Sequence, residues 1–439
     1  MRRFDRRLLS FSICCKALTP SPVEPAARHA IVTRFTDLND VYNHGRLMMN
    51  NAAFWNGKRV FITGHTGFKG GWLTLWLQRL GADVAGYALT PPTEPNLFTL
   101  ADIDSAARTF IGDVRNLEQV QQAMAAHQPE IVLHLAAQPI VRRSYADPVE
   151  TFTTNVVGTV NLLEAARHAN SVKAVVVVTS DKCYENNEWP WGYRETEAMG
   201  GRDPYSSSKG CAELVTAAYR HSYFSAKGVP VASVRAGNVI GGGDWAADRL
   251  IPDMIKTFLN GHPVNVRNPQ AIRPWQHVLD PLCGYLEIAQ RLYEHGMEYA
   301  DAWNFGPGED DAKSVGWMAD AVARMWGDGA SWVADGGLHP HEATFLRLDS
   351  TKARTKLGWT TRLPVRAALE WTVEWYKAFQ RGGNMRAVTL AQLERYEYLG
   401  HQAVIQPLRR SSDVAARRRS SFADRPASVE PIRRHAKTD

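Results

Sequence analysis

The sequence predicts an α/β protein built on a doubly wound parallel sheet, with a smaller mixed C-terminal lobe that binds substrate. Three observations support this prediction. Short apolar runs rich in Val and Ile alternate with amphipathic stretches of helical length. A glycine-rich turn directly follows the first of these runs. After about residue 240 the alternation gives way to mixed helices, loops and Trp-rich stretches, which indicates a lobe interleaved with the last strands.

Five buried strands are predicted, each bounded by Gly or polar residues. They are Arg59–Thr63, Asp83–Ala88, Ile131–Leu135, Ala174–Thr179 and Val231–Arg235. Helical length and an amphipathic pattern mark the intervening stretches Val149–Ala169 and Pro204–Ala226. Because parallel strands need long crossover connections, strands that alternate with helices in this way predict a parallel sheet with right-handed crossovers.

The distribution of charge and cysteine disfavours several classes of protein. The net charge of +6 resides at the ends, since residues 1–50 carry +4, residues 409–439 carry +5 and the middle of the chain carries −3. We therefore expect no nucleic-acid partner for the folded part. No apolar run approaches the roughly eighteen residues of a membrane helix, so no membrane partner is expected. Five scattered cysteines without ligand spacing indicate a reduced, cytoplasmic compartment and no metal site.

The first strand runs directly into a glycine-rich turn that reads TGHTGFKG, and an amphipathic helix follows. Glycines at this GxxGxxG spacing permit a tight turn, close approach of the backbone to a pyrophosphate and close packing of helix on strand. The helix N-terminus adds partial positive charge. This position between strand and helix predicts a Rossmann-like dinucleotide site. We assign its cradle to Gly64, His65, Thr66, Gly67, Phe68 and Gly70.

Later strand ends supply the other predicted cofactor contacts. Asp113 and Val114, ahead of the next helix, are assigned to the adenine end. Small residues at the end of a strand are assigned to the wall beside the cofactor: Leu135, Ala136 and Ala137. The second strand ends in Gly-Tyr-Ala-Leu-Thr, with neither the carboxylate typical of NAD sites nor an Arg. NAD is the predicted cofactor, although this strand end does not itself exclude NADP.

We divide the chain into four parts on these grounds. Residues 1–50 are predicted to be a disordered extension, 51–240 the Rossmann domain, 241–408 mainly the substrate-binding lobe, and 409–439 a disordered basic tail. A signal or transit peptide is the alternative for the first residues, where four Arg precede a short apolar stretch. That stretch is broken by Ser, and no cleavage site follows closely.

A second constellation indicates proton transfer at a strand end. Ser180 follows the fourth predicted strand, and Tyr205 and Lys209 lie four residues apart at the start of a predicted helix. Side chains at this spacing share one helix face, so the lysine can favour the phenolate of the tyrosine. Such a tyrosine can take a proton from an alcohol. Tyr223 and Lys227 repeat the spacing, but they lie too far along the helix to reach the carboxyl ends of the strands.

Long motifs carry a resemblance to a known superfamily. They include TGHTGFKG, LHLAAQPIVRRSY, NVVGTVNLLEAAR, VVVVTSDKCYEN, PYSSSKGCAEL and VRAGNVIGGGDWAADRLIPD, spread between about residues 57 and 398. The sequence resembles the extended short-chain dehydrogenases/reductases, which are NAD-dependent epimerases and dehydratases of nucleotide-sugars. Within them it is similar to the CDP-glucose 4,6-dehydratases, because Asp181 and Lys182 follow the catalytic Ser180 where dTDP-glucose dehydratases have Asp-Glu.

The resemblance implies a dehydration through internal hydride transfer. Tyr205, helped by Ser180 and Lys209, removes the C4 hydroxyl proton of CDP-glucose while hydride passes to NAD. Lys182 then removes the C5 proton, Asp181 protonates the departing C6 hydroxyl, and hydride returns to C6. The product would be CDP-4-keto-6-deoxyglucose, a precursor of the deoxysugars of lipopolysaccharide.

The same resemblance implies further site residues. Contacts to sugar and diphosphate are expected from Gln138, Asn238, Arg249 and Arg273. Asn155 is expected to order the cofactor site, and Tyr205 and Lys209 are expected to contact the cofactor as well. Arg suits a diphosphate because its fork bonds two oxygens at once. A homo-oligomer, dimer or tetramer, is expected.

Two alternatives remain. The first is another dTDP-, GDP- or UDP-sugar dehydratase or epimerase, against which Asp181 and Lys182 speak. The second is a non-catalytic dinucleotide sensor or scaffold, which the retained Ser180, Tyr205 and Lys209 disfavour.

Overall fold

The structure of this protein, a computed structural model, describes residues 52–337 and 344–400 and contains twelve strands within them. In chain order they are β1 (Arg59–Thr63), β2 (Asp83–Ala88), β3 (Arg108–Ile111), β4 (Ile131–His134), β5 (Ala174–Val178), β6 (Val231–Ala236), β7 (Asn238–Ile240), β8 (Val264–Val266), β9 (Ile272–His277), β10 (Ala302–Phe305), β11 (Ala312–Ser314) and β12 (Trp332–Ala334). Seven of them form one parallel sheet in the order β10-β6-β5-β4-β1-β2-β3. The predicted doubly wound parallel sheet is confirmed.

Helices cover both faces of this sheet, because each crossover returns the chain to the start of the next parallel strand. They are α1 (Phe68–Arg79), α2 (Leu97–Leu100), α3 (Leu117–His127), α4 (Val141–Ala146), α5 (Pro148–Phe152), α6 (Gly158–His168), α7 (Pro204–Tyr219), α8 (Leu250–Leu259), α9 (Leu279–His295), α10 (Val315–Trp326), α11 (Thr351–Leu357) and α12 (Val365–Gln380). Residues 385–400 are also helical.

The structure refines the predicted element bounds. The predicted helix over 149–169 is a helical run in which the π-turn Thr153–Val157 joins α5 to α6. The run that begins with α7 likewise continues through a π-turn, Arg220–Phe224. Strand β3, which the sequence analysis missed, is a partly exposed edge strand of four residues. Strand β10, also missed, forms the other edge and comes from the chain after residue 240.

Beyond β6 the chain builds smaller sheets beside the large one. Strands β11, β9 and β7 form one mixed sheet, and β12 pairs with β8 in another. A continuous hydrophobic core links the faces of α1, α9 and α12 to the large sheet. The mixed C-terminal lobe is thus present, and it packs over the carboxyl end of β6, where the chain passes into β7.

Some predictions fall on residues that the structure does not describe. The predicted disorder of residues 1–50 and 409–439 lies outside 52–337 and 344–400. Within those ranges no helix combines the length and the apolarity that a membrane crossing requires.

Candidate active site

The glycine turn after β1 forms an open cradle at the start of α1. Gly64 has a φ of 80°, and a Cβ on it would lie 2.8 Å from the backbone nitrogen of Ala136. A Cβ on Gly70 would lie 2.1 Å from the Gly64 oxygen, so the helix packs on the turn at a distance that only glycine allows. Gly67 is the N-cap of α1, and no side chain caps the helix. The backbone N–H groups of the first turn therefore remain for an anion, which fits a dinucleotide diphosphate.

A buried threonine holds the neighbouring strand end against this cradle. The Thr63 hydroxyl accepts hydrogen bonds from the backbone nitrogens of Leu135 and Ala136, at 3.2 and 3.1 Å. It also bonds Nδ1 of the buried His134 at 2.6 Å. Leu135 and Ala136 thus lie against the glycine turn where β4 ends, and Ala137 follows them in the chain.

The end of β2 is shaped by the cradle residue His65. A Cβ on Gly86 would come within 2.2 Å of the His65 ring, so the ring occupies the space above the second strand. Burial lowers the pKa of His65 to about 4, and the ring is therefore neutral near pH 7. The Thr66 hydroxyl donates to the Leu89 carbonyl at 2.9 Å. Two neutral side chains, His65 and Thr66, therefore lie at this strand end, and the charge of Asp104 acts on the His65 ring.

Asp113 and Val114 lie after β3, on the same edge of the sheet. Asp113 forms an ion pair with Arg115, whose hydrogen bond holds the pKa of the carboxyl below its usual range. Val114 is buried and packs against Gly158. A Cβ on Gly158 would lie only 2.7 Å from the Val114 side chain. The pairing of β3 with β2 places both residues next to the carboxyl end of β2, where the Tyr87 hydroxyl donates to the Asp113 carbonyl at 2.9 Å.

The structure brings Ser180, Tyr205 and Lys209 together at the carboxyl end of β5. Pro204 opens α7 and the Asp203 side chain caps it, which places Tyr205 in the first turn. Burial raises the pKa of Tyr205 to about 12, while a hydrogen bond with Ser180 acts in the opposite direction. The Lys209 ammonium donates to the Val178 carbonyl at 3.3 Å, and burial lowers its pKa to about 8.

Asp181 lies next to this group in a short 3₁₀ turn that Ser180 caps. The Ser180 hydroxyl donates to Asp181 Oδ1 at 3.0 Å, and the other carboxylate oxygen has no hydrogen-bond partner among the described residues. Asp181 is 2% exposed. Burial raises its pKa, against the positive charges of Lys182, Arg273 and Lys69. The raised pKa favours the protonated carboxyl, which is the form that a general acid needs.

Lys182 and Arg273 line one cleft, which runs from the 3₁₀ turn to the loop before α7. Arg249, at the start of α8, pairs with Asp244 at 2.8 Å and lies close enough to Tyr205 for their charges to interact. Asn238 is partly buried on β7, opposite Trp275 of β9. The predicted substrate residues on the C-terminal lobe therefore surround the catalytic group.

Gln138 has a local role in the structure. Its side-chain amide donates to Thr151 at 2.8 Å, and its side-chain oxygen accepts from the Ile140 nitrogen at 2.6 Å. The Asn155 side chain bonds both the nitrogen and the oxygen of the Gln138 backbone, and it also donates to Ser208 on α7. These bonds hold the loop after β4 against the helix that carries Tyr205.

Lys69 is an active-site residue that the sequence analysis did not single out. It lies inside the glycine motif, and its buried ammonium sits 5.8 Å from the centre of the Tyr285 ring. Burial lowers its pKa to about 7, helped by the charges of Arg249 and Lys209 and opposed by Asp181. The charge of Lys69, like that of Lys182, therefore acts on Asp181.

A buried ion pair beneath the site was missed as well. Glu213 on α7 pairs with Arg235 of β6 through two hydrogen bonds of 2.8 Å, and each side chain is 4% exposed. Glu213 also accepts from Ser233 at 2.6 Å and from Thr179, the neighbour of Ser180. Arg235 in turn donates to the Tyr184 hydroxyl at 2.7 Å. The network ties the catalytic helix to the strand ends.

Glu213→Gln is expected to lower the free energy of unfolding by about 3 kcal/mol, because it leaves the buried Arg235 without its charge partner. Urea denaturation measures this loss. Glu370→Gln is the matched control, since it breaks an exposed pair with Arg366 that spans 3.3 Å. That variant should lose less than about 1 kcal/mol. Equal losses in the two variants would contradict a structural role for the buried pair.

The second tyrosine–lysine pair lies away from this site. Tyr223 is 46% exposed and packs on Tyr219 and the Arg167 guanidinium. Lys227 donates to the Arg167 carbonyl at 2.6 Å, near the C-terminus of α6. Both residues therefore sit at the amino end of the sheet, as their spacing along the helix predicts.

Comparison with known sequences places the chain among nucleotide-sugar enzymes. The family model described as GDP-mannose 4,6 dehydratase matches residues 61–371. The chain is 54% identical to the CDP-glucose 4,6-dehydratase of Salmonella typhimurium, over 79% of this chain and 98% of that protein. It is 28% identical to the dTDP-glucose 4,6-dehydratase of Xanthomonas campestris, over 72% of this chain and 92% of that protein.

Solved structures share the fold. A dTDP-glucose 4,6-dehydratase double mutant from Streptomyces venezuelae, with NAD and DAU bound, superposes with a TM-score of 0.63 at 24% identity, over 75% of this chain and 99% of that one. MoeE5 with UDP-glucose and NAD gives 0.62 at 25% identity, over 74% and 99%. The resemblance predicted from the motifs is confirmed. The chain belongs to the GDP-mannose 4,6 dehydratase family, within the extended short-chain dehydrogenases/reductases.

Proposed function

We propose that this protein is a CDP-glucose 4,6-dehydratase, which converts CDP-glucose to CDP-4-keto-6-deoxyglucose and water in deoxysugar and lipopolysaccharide precursor synthesis. The observation that carries the proposal is the placement of Asp181 and Lys182 beside Ser180, at the end of a cleft. An acid and an amine at this point are what water elimination needs beyond the groups that handle the C4 hydroxyl. The 54% identity to a CDP-glucose 4,6-dehydratase supports the choice of nucleotide.

NAD is the cofactor of this proposal. The uncapped N-terminus of α1 and the glycine cradle fit its diphosphate, and the end of β2, Gly86 to Thr90, carries no Arg for a 2′-phosphate. NAD is also the cofactor named for the structural relatives from Streptomyces venezuelae and for MoeE5. When bound, NAD accepts hydride from C4 of the sugar and returns it to C6.

The residues of the chain handle the protons of this reaction. Tyr205 takes the proton of the C4 hydroxyl, and the nearby Lys209 charge favours its phenolate. The 4-ketone acidifies the C5 proton, which Lys182 takes from the cleft side. Asp181, whose pKa burial raises, donates a proton to the departing C6 hydroxyl. In this assignment the base serves C5 and the acid serves the hydroxyl on C6.

The C-terminal lobe is assigned to the nucleotide-sugar itself. Arg273 lines the same cleft as Lys182, and Arg249 lies close enough to Tyr205 for an electrostatic interaction between the two side chains. Guanidinium groups in these positions suit a diphosphate that leads from the sugar to the base. Asn238 on β7 completes this wall and is assigned to the sugar.

A panel of CDP-, dTDP-, GDP- and UDP-glucose tests the assignment. We expect the 4-keto-6-deoxy product from CDP-glucose, with kcat/KM at least about tenfold above the other sugars, because base-specific hydrogen bonds discriminate strongly. Preference for another base would make the protein a different nucleotide-sugar dehydratase. A C4 epimer without loss of water would identify an epimerase. A Tyr205→Phe variant, purified in parallel, is the control for a contaminating dehydratase of the expression host, because any product that it formed would come from that contaminant.

We also propose a homo-oligomer, dimer or tetramer. Large apolar side chains are exposed on helical segments next to the site, namely Val149, Phe152, Val157 and Leu214. The first three belong to the run from α5 through its π-turn, and Leu214 belongs to α7, which packs beside that run. A second copy of the chain is the occupant that we assign to this surface.

The cytoplasm is the compartment that we propose. The described cysteines Cys183, Cys211 and Cys283 are thiols without a disulfide partner. Together with the scattered positions of the cysteines in the sequence, this favours a reducing compartment.

A further inference from the structure

The proposed dehydration leaves two residues with an altered proton count after every turnover. Tyr205 gains the proton of the C4 hydroxyl, and Asp181 loses the proton that leaves with the C6 hydroxyl as water. The proton that Lys182 takes from C5 is matched by the proton that C5 regains after hydride reaches C6. One proton must therefore pass from Tyr205 to Asp181, or be exchanged with solvent at both residues, before the next cycle. This inference rests on the proposed function.

One hydroxyl connects these two residues in the structure. The hydroxyls of Ser180 and Tyr205 lie close enough to interact, and the Ser180 hydroxyl donates to Asp181 Oδ1 at 3.0 Å. The backbone nitrogen of Lys182 donates to Ser180 Oγ at 3.2 Å and fixes its position. Ser180 uses its only hydroxyl proton in the bond to the Asp181 carboxyl. Its oxygen can therefore only accept a hydrogen bond from the Tyr205 hydroxyl.

Burial separates this path from bulk water. Tyr205 and Ser180 are each 8% exposed and Asp181 is 2% exposed, before any ligand covers them. Asp181 Oδ2 has no hydrogen-bond partner among the described residues, whereas Oδ1 is occupied by Ser180. A buried polar atom without a partner marks a place for a ligand group, so Oδ2 is the oxygen left for the C6 hydroxyl. The two oxygens thus face different partners.

We propose that Ser180 is a proton relay, which returns the C4 hydroxyl proton from Tyr205 to Asp181 in each cycle. The O–H bond of Tyr205 breaks as a bond to Ser180 Oγ forms, and the original Ser180 O–H bond breaks as a bond to Asp181 Oδ1 forms. Tyr205 becomes the phenolate, Ser180 is unchanged and Asp181 is again a carboxylic acid. A half-turn about the carboxyl torsion, which is soft in aspartate, presents the proton to the substrate side.

Product formation per active site over time tests the relay, by rapid quench with Ser180→Ala. Burial favours the protonated form of Asp181 before the first turnover, so that turnover should proceed, although more slowly than in the wild type because Tyr205 has lost a partner. Later turnovers should be slower than the first by about 100-fold, the scale of a lost proton-transfer path. The trace should therefore show a burst of one product per site. Formic acid buffer, raised at constant pH, should speed the later turnovers by supplying protons.

Ser180→Thr is the matched variant, since it keeps a hydroxyl at the same position. Its first and later turnovers should proceed at similar rates, with no burst, whatever the absolute rate. Equal rates in the first and later turnovers of Ser180→Ala would overturn the relay, because Asp181 would then regain its proton without Ser180. A wild type that forms no 4-keto-6-deoxy product from CDP-glucose would instead overturn the proposed function on which the relay rests.

Discussion

Tyr205→Phe should lower kcat by roughly 1,000-fold and leave cofactor binding intact, because only the group that takes the C4 hydroxyl proton is removed. The ring is 8% exposed at the start of α7, so phenylalanine keeps its packing. The cradle lies on a different element, the turn into α1, and loses no contact with the change. Turnover of CDP-glucose and calorimetric titration with NAD measure the two effects separately.

The comparison variant for this experiment is Tyr223→Phe, which removes the same atom from the other tyrosine–lysine pair. Tyr223 is 46% exposed and contacts Tyr219 and Arg167 at the far end of the helical run. Its turnover should stay within about twofold of the wild type, as for a surface substitution. If Tyr205→Phe also kept its activity within about tenfold, the proton acceptor would have to be another group.

Local sequence patterns were sufficient to predict most of the fold and the central residues of the candidate site. The bounds of β1 and β2 match the prediction at both ends, because each is a short apolar run closed by polar or glycine residues. Gly64 and Gly70 show why the glycine turn could be recognised, since each sits where a Cβ would collide with backbone. The position of Ser180, Tyr205 and Lys209 likewise follows from strand ends and helix starts.

The two edge strands of the large sheet, β3 and β10, were not predicted, because each forms a strand only by pairing with its neighbour in the folded chain. Strand β3 is short and partly exposed, and it is a strand because β2 lies beside it. Strand β10 comes from the Trp-rich region after residue 240 and pairs with β6 across a long sequence separation. Propensity is a weak signal for such edge strands, because their stability comes from the neighbouring strand.

The residues missed in the site have the same explanation. Glu213 and Arg235 are 22 residues apart on a helix and a strand, and only the folded sheet makes them partners. Lys69 stands inside a motif whose glycines explain the local backbone, and nothing in the spacing shows that its charge acts on Asp181. The bonds of the Gln138 side chain to Thr151 and Ile140 were not predicted either, while its predicted contact with substrate stays a prediction.

Lys182→Met should stop the reaction after the first hydride transfer, because the variant keeps Tyr205, Ser180 and the cofactor cradle but lacks the base for the C5 proton. Reduced cofactor should then accumulate on the enzyme when CDP-glucose is added, and its near-ultraviolet absorbance reports it. Formation of the 4-keto-6-deoxy product should fall by at least about 100-fold, the scale of a lost general base. Exchange of the C5 proton with deuterated solvent should fall with it.

The second lysine whose charge acts on Asp181 makes this experiment decisive. Lys69 belongs to the glycine motif and is not among the residues that line the cleft, whereas Lys182 lines the cleft together with Arg273. If Lys182 is the base, Lys69→Met should not accumulate reduced cofactor, even where its turnover is slower. The opposite result, a stalled Lys69→Met and a Lys182→Met that turns over, would move the base to the glycine motif. Failure of Lys182→Met to reduce the cofactor at all would show that Lys182 positions the sugar for the first step. Near-normal turnover of both variants would show that neither lysine is the base. The site would then lack the feature that distinguishes it from the site of an epimerase.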